Sequence, residues 1–268
     1  MWYSKKRGDI VKIAYAGFDL FYPVLQSLFE NGCEIVKIFS CTVDNVTETN
    51  HLVRRFAEEH NIPITFEKIT PDDLKELEAH RIDALFCAAY YYRVPITDKF
   101  SMINIHPSLL PQGRGAWPMP LYILNNIKEA GVTIHKMAEG FDTGDIIMQR
   151  SFELDENDTH ETFMQKANSL LSPMITELLG NFENYLENAV PQSEGEYWDC
   201  PNEDDYVITP DTDFALANKI LRAFYGFYVT YKDKGKEYRL RCATAVKGDN
   251  ENEVFKIKDG FICVPKTY

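Results

Sequence analysis

Three side chains in two short segments have the types and spacing to do chemistry together. Asn104 and His106 stand two residues apart in Met102-Ile-Asn-Ile-His-Pro107, where a short apolar run presents them at alternate positions. On a strand such positions share one face. Pro107 and Pro111 then stop the strand and set its exit loop. A side-chain amide can donate to an oxyanion, and a neighbouring imidazole can take a proton from an attacking amine, so the pair suits acyl transfer. The third group lies downstream. Gly131-Val-Thr-Ile-His-Lys-Met137 reads as another strand and leads into Ala138-Glu-Gly-Phe-Asp-Thr-Gly-Asp145. Gly140 and Gly144 in that loop are expected to let the backbone approach a ligand closely, and Asp142 is its candidate catalytic carboxylate. Asp145 reads as a residue that closes the loop. Taken singly, Asn104 can be read as a turn residue, and a lone histidine such as His106 reads first as a core histidine. His51, His60, His80 and His160 are assigned to the core by default, and His135 stands evenly between core and pocket wall.

The elements that must position these groups alternate. Ile10–Ala16 reads as a buried strand ending at Gly17, Phe21–Glu30 as an amphipathic helix, and Glu34–Ser40 as a second strand. Leu52–Asn61 is helical, Ile64–Phe66 a short strand and Pro71–His80 a helix; Ala84–Ala89 is an apolar run of the kind buried on both faces. This predicts an α/β fold with a Rossmann-like parallel sheet. Ligands of such sheets bind beyond the carboxyl ends of the strands, which nominates Gly17–Leu20 and Tyr90–Val94. Gly17 lacks GxGxxG spacing, so NAD is not expected. Thr159–Leu179 reads as a long helix capped by Asp158 or Thr159. The polar stretch 194–205 is the expected linker between a domain over 1–193 and a small, mainly-β unit over 206–268. In the latter Phe214–Phe224 is helical, and Tyr225–Tyr231, Glu237–Val246 and Val254–Val264 are strands.

The 268 residues carry a formal net charge of −13, which argues against a whole surface built to attract nucleic acid. The charge is uneven, with 11 basic and 9 acidic residues from Asp205 onward. No apolar run reaches the roughly 20 residues needed to span a bilayer, and the basic start Met1–Asp9 is followed by neither a long apolar stretch nor a small-residue cleavage site. A cytoplasmic protein without membrane association is expected. The six cysteines form no CxxC pair, and Cys33, Cys41 and Cys87 fall in apolar segments, so they read as reduced core residues and no metal is expected.

Two ordered blocks resemble the folate-dependent formyltransferase family. Asn104-Ile-His-Pro-Ser-Leu-Leu-Pro111 matches its first block intact, followed by Arg114-Gly-Ala-Trp-Pro118. Gly131-Val-Thr-Ile134 and Gly140-Phe-Asp-Thr-Gly-Asp145 match the second. The likeness runs from about Val11 to Leu179 and more weakly through Ile220-Leu-Arg-Ala-Phe224. The resemblance implies His106 as general base, Asn104 as oxyanion donor and Asp142 as orienting or relaying carboxylate. It implies 10-formyltetrahydrofolate as donor, with tetrahydrofolate as product and no metal. The pterin would be gripped largely by backbone at Tyr90, Tyr92, Val94, Met137, Ala138, Gly140 and Asp142. It also implies, by analogy, a homodimer.

The acceptor amine divides the family. The resemblance is closest to the sugar N-formyltransferases, which act on a nucleotide-linked (dTDP- or UDP-) amino-dideoxy sugar. Methionyl-tRNA formyltransferase is the alternative; formyltetrahydrofolate hydrolase and glycinamide ribonucleotide transformylase rank lower. Thr42–Asn50 holds Asp44 and Glu48 but no Lys or Arg, which opposes tRNA phosphates, and the unit after the linker is short for tRNA binding. Gly17 is followed by Phe18 rather than by a Gly/Ser-rich phosphate loop. Expected substrate contacts are Gly17, Phe18, Arg114, Trp117, Arg222, Phe224 and Tyr225, with an aromatic ring for the base and basic groups for the diphosphate.

Overall fold

The structure, a computed structural model, describes residues 11–249 and 254–265. Ile10 and the basic N-terminal stretch lie outside the described residues. The chain runs β1 (Lys12–Gly17), α1 (Tyr22–Glu30), β2 (Glu34–Phe39), α2 (His51–Glu59), β3 (Ile64–Thr65), α3 (Pro71–Ala79), β4 (Ala84–Ala88) and β5 (Ser101–His106). It continues through α4 (Pro118–Leu124), β6 (Glu129–Lys136), β7 (Ile146–Glu153), α5 (His160–Gly180) and α6 (Phe182–Glu187). The tail holds β8 (Val207–Ile208), α7 (Phe214–Ala223), β9 (Tyr228–Asp233), β10 (Lys236–Arg241), β11 (Thr244–Lys247), β12 (Lys256–Ile257) and β13 (Gly260–Cys263).

A seven-stranded sheet has the order β3-β2-β1-β4-β5-β6-β7. Pairings from β3 through β5 are parallel, as the alternation predicts, whereas β6 runs antiparallel to β5 with Asn104 opposite His135 and His106 opposite Thr133. β1 and β4 sit centrally because their runs are mostly apolar: Ala14, Tyr15, Ala16, Leu85 and Phe86 are fully buried. α3 starts where Thr70 Oγ1 accepts from Asp73 N and Asp73 Oδ2 accepts from Thr70 N, a capping box that satisfies two terminal donors, with Pro71 in the first turn. The strand order reverses at β1/β4, and a crevice forms at such a point beyond the strand ends.

The residues group into two compact units: Met1–Arg114 with Gly131–Ser151 and Ala167–Tyr197, and Gly115–Ala130 with Phe152–Lys166 and Trp198–Tyr268. The second unit therefore takes in two earlier segments besides the tail expected from 206 onward. Its core gathers Ile208, Ile220, Leu221, Phe224, Tyr231 and Ile262, and its strands form the two small sheets β10-β9-β8 and β11-β13-β12. Cys33, Cys41 and Cys87 are buried. Among the described residues no helix is long and apolar enough to cross a membrane.

Candidate active site

β5 ends at His106, so Asn104 and His106 arrive at the carboxyl edge of the sheet on one face, as their spacing requires. Asp142 comes from the loop after β6, on a backbone with φ of 55°. Its Oδ1 lies 3.3 Å from Asn104 Nδ2, 3.7 Å from His106 Nδ1 and 3.6 Å from His135 Nε2. Three of these side chains are the expected set; His135 is the fourth.

Hydrogen bonds decide which ring nitrogen of each histidine is basic. His106 Nε2 lies 2.8 Å from the Gly113 carbonyl oxygen, an acceptor, so the neutral ring carries its proton there and turns the Nδ1 lone pair towards Asp142. Burial holds His106 below the ordinary imidazole value, opposed by the Asp142 carboxylate and by the Gly113 bond. A neutral ring near pH 7 is the form a general base needs. His135 Nδ1 donates to Lys136 O at 2.7 Å, which leaves Nε2 to accept from Asn104 Nδ2 at 3.1 Å. One amide N–H of Asn104 is thus held by His135 and the other points to Asp142. The Asp142 contact is the longer, and it is the one an incoming oxyanion can replace.

The loop between β5 and α4 is pinned from below. Thr133 Oγ1 donates to Ser108 O and accepts from Leu110 N, while Gln149 Nε2 donates to Leu110 O. Both glycines after β6 admit close neighbours within the chain, Gly144 the Lys136 backbone and Gly140 the Thr143 side chain. A Cβ on Gly144 would stand 1.9 Å from Lys136 O, and one on Gly140 would stand 2.7 Å from Thr143 Oγ1. Asp145 closes the loop: its carbonyl accepts from Lys136 N and its carboxylate lies 3.6 Å from Lys136 Nζ.

The two segments expected to grip a pterin face each other. Arg93 Nη2 donates to Glu139 O at 3.2 Å and its guanidinium lies over the Phe141 ring. Val94 is buried in the cluster against which Met137 packs, and Met137 N donates to Met102 O. Ala138 and Gly140 are exposed. Tyr90 is fixed through its hydroxyl, which accepts from Ile69 N and donates to Glu67 O, and Tyr92 packs edge-on against it.

Several expected substrate contacts are otherwise engaged. A Cβ on Gly17 would lie 2.1 Å from Ala88 O, so this glycine admits the neighbouring strand. Phe18 is buried and packs on Tyr91. Arg114 directs Nε and Nη2 at Gln192 Oε1, at 3.1 and 2.8 Å, and Nη2 also at Ser193 O at 3.0 Å, so that edge of its fork is engaged within the chain. In the second unit Trp117 Nε1 donates to His160 Nε2 and its ring packs against Phe224 and Phe227. Phe224 is 1% exposed, which leaves no face for a base to stack on. Arg222 Nη1 donates to Asp158 O, while Tyr225 stays partly exposed. His160 is a core histidine, but His51, His60 and His80 are exposed, because they sit at helix ends rather than on inward faces.

The sequence was silent on Gln192, whose amide reaches the Asp142 loop from a stretch with no periodic signal. Among the described residues no group of three or more His, Cys, Asp or Glu is placed to hold a metal ion.

Residues 16–178 match the family model described as Formyl transferase. A methionyl-tRNA formyltransferase of Ehrlichia ruminantium (strain Welgevonden) is 33% identical over 208 residues, covering 74% of this chain and 66% of that protein. The chain thus spans just under two thirds of that relative's length. Among solved structures, HypX from Aquifex aeolicus in complex with tetrahydrofolic acid superposes with a TM-score of 0.73 at 16% identity, over 96% of this chain and 44% of that one. WlaRD, a sugar 3N-formyl transferase solved in the presence of dTDP and 5-N-formyl-THF, gives 0.66 at 22% identity, over 95% and 97%.

Proposed function

The chain belongs to the formyl transferase family, and from that premise we propose that it moves a formyl group from 10-formyltetrahydrofolate to the amine of a nucleotide-linked amino sugar. The observation that carries the reaction type is the meeting of Asn104, His106 and Asp142 around one carboxylate oxygen. Bound folate would supply an activated formyl carbon. The donor set suits that group: an uncharged amide, an imidazole held neutral, and the Tyr90–Val94 and Met137–Asp142 segments joined by Arg93. Those segments would hold the carrier.

The residues divide the work. Asn104 Nδ2 donates to the formyl oxygen as negative charge develops there, releasing its longer contact with Asp142. His106 Nδ1 would take the proton that the amine nitrogen sheds on forming the new C–N bond, and would return it to the carrier nitrogen as the old formyl C–N bond breaks, so that tetrahydrofolate leaves and the imidazole is neutral again. Asp142, 3.7 Å away, offsets the positive charge that results.

The choice of a sugar acceptor rests on charge. The loop after β2 is organised by Asp44, whose Oδ1 accepts from Val46, Thr47 and Glu48 backbone N–H groups. Those bonds, that from Val46 foremost, hold the Asp44 carboxyl at about 2. Glu48 lies beside the Tyr91 hydroxyl. This loop leaves the sheet at the edge where β5 also ends, and a carboxylate there, Asp44 above all since burial raises Glu48, disfavours a polyanion more than it does a diphosphate. A tRNA acceptor is the second reading, favoured by the methionyl-tRNA formyltransferases among the sequence relatives.

The deciding assay incubates the protein with 10-formyltetrahydrofolate and dTDP- or UDP-linked 3-amino and 4-amino sugars, in parallel with methionyl-tRNA, following N-formyl product by mass. Product on a sugar alone supports the proposal. Product on methionyl-tRNA alone overturns it, and folate turnover without an acceptor points to a hydrolase.

A further inference from the structure

Residues 190–197 form a strap that is bonded to both loops of the site. Val190 and Ile146 exchange backbone hydrogen bonds beside the Asp142 loop. Arg114 N donates to Glu196 O, and a Cβ on Gly195 would stand 2.2 Å from Pro111 O, so the strap presses against the β5–α4 loop as well. Between these anchors stands Gln192. Its Nε2 donates to Asp142 O at 2.8 Å and to Gly144 O at 2.6 Å, and its Oε1 accepts twice from Arg114.

We propose that Gln192 is a positioning residue for formyl transfer, with Arg114 locking its amide so that both N–H groups hold the loop bearing Asp142 at its distance from His106. Only one orientation of the amide works. Turned over, its oxygen would face two carbonyl oxygens and its nitrogen would face a guanidinium that has only donors. Arg114 directly follows Gly113, whose carbonyl fixes the His106 tautomer. One side-chain pair therefore ties the segment that orients the base to the segment that carries the carboxylate. Asp142 sits at positive φ on an exposed loop, where the intrinsic backbone preference does not hold a non-glycine residue, so an external clamp has something to do.

The inference rests on the roles given to Asn104, His106 and Asp142, and its test reads His106 directly. In Gln192→Glu the Arg114 partner is kept, but two carbonyls face a carboxylate that cannot donate. The loop then withdraws, His106 loses the charge that raises its proton affinity, and its titration midpoint moves to lower pH. Imidazole ¹H–¹⁵N spectra, with His106 assigned through His106→Gln, follow this without substrate. In turnover assays kcat falls on the order of 100-fold, the size expected of an ångström-scale misplacement, and the acid limb of the pH profile moves the same way. Arg114→Lys, which keeps the charge but loses the fork, lies between Gln192→Glu and the parent on both readouts. A parental His106 titration and pH profile in Gln192→Glu would overturn the positioning role and leave formyl transfer standing. A protein that formylates none of the acceptors would instead refute the proposed function while the spectra still answer this question. Should Gln192→Glu not fold, Arg114→Lys decides on the same spectra: a shifted midpoint supports the role, and a parental one overturns it.

Discussion

His106 Nδ1 and Asp142 Oδ1 stand 3.7 Å apart, beyond hydrogen-bond distance but well inside the range at which a carboxylate shifts an imidazole. The distance sets a division of labour. Gly113 O fixes the tautomer at the far nitrogen, so Asp142 is left to act through charge.

Asp142→Asn removes that charge at nearly constant shape. Because Asp142 raises the His106 value against the burial that lowers it, the variant's His106 titrates at lower pH than the parent's. The acid limb of kcat/KM moves to lower pH while its plateau falls, as a pH–rate profile would record. A limb that stays in place would show that Asp142 does not couple to the base.

Asn104→Ala deletes the proposed oxyanion donor. Removing such a donor costs about 2.7–4 kcal/mol in the barrier, so single-turnover formyl transfer slows by about 10²–10³. The His135 Nε2 lone pair loses its donor in the same step, and Asn104→Asp, which restores no N–H, is equally slow. Near-parental turnover in both variants would remove Asn104 from the mechanism.

Gly17→Ala tests the close approach of β1 and β4. The new methyl would meet the Ala88 carbonyl oxygen at 2.1 Å, a backbone atom inside a central strand pair that has no flexible side chain to move aside. Overpacking of this kind costs about 1–3 kcal/mol, read from the denaturant midpoint at constant m. An unchanged midpoint would mean that the strands can part there.

His160 predicts a pH dependence of stability. Burial lowers its value to about 4 in the folded state from an ordinary 6.5, so the unfolded chain binds the proton more readily. Its contribution is therefore present above pH 6.5 and is lost as pH falls towards about 4, to a total on the order of 3 kcal/mol. His160→Gln keeps an acceptor for Trp117 Nε1 without a titrating group. Urea midpoints of the parent should drop more steeply than the variant's between pH 7 and 5; parallel slopes would contradict the assignment.

Local pattern specified the parallel part of the sheet and the shared face of Asn104 and His106, but not β7 or the antiparallel turn of β6. Apolar runs such as Ala84–Ala88 leave a strand no stable place except the centre of a sheet, and period-two spacing puts Asn104 and His106 on one face whatever surrounds them. How those groups are held follows from contacts between distant segments. Whether Arg114 meets a substrate or Gln192, whether Phe224 stacks on a base or fills a core, and which nitrogen of His106 is basic all depend on residues far away along the chain. Local pattern reports the surface a residue needs to bury, because burial repeats with the geometry of its own element. It cannot report the partner of a polar side chain, because that hydrogen bond is made with whatever the fold carries to within 3 Å.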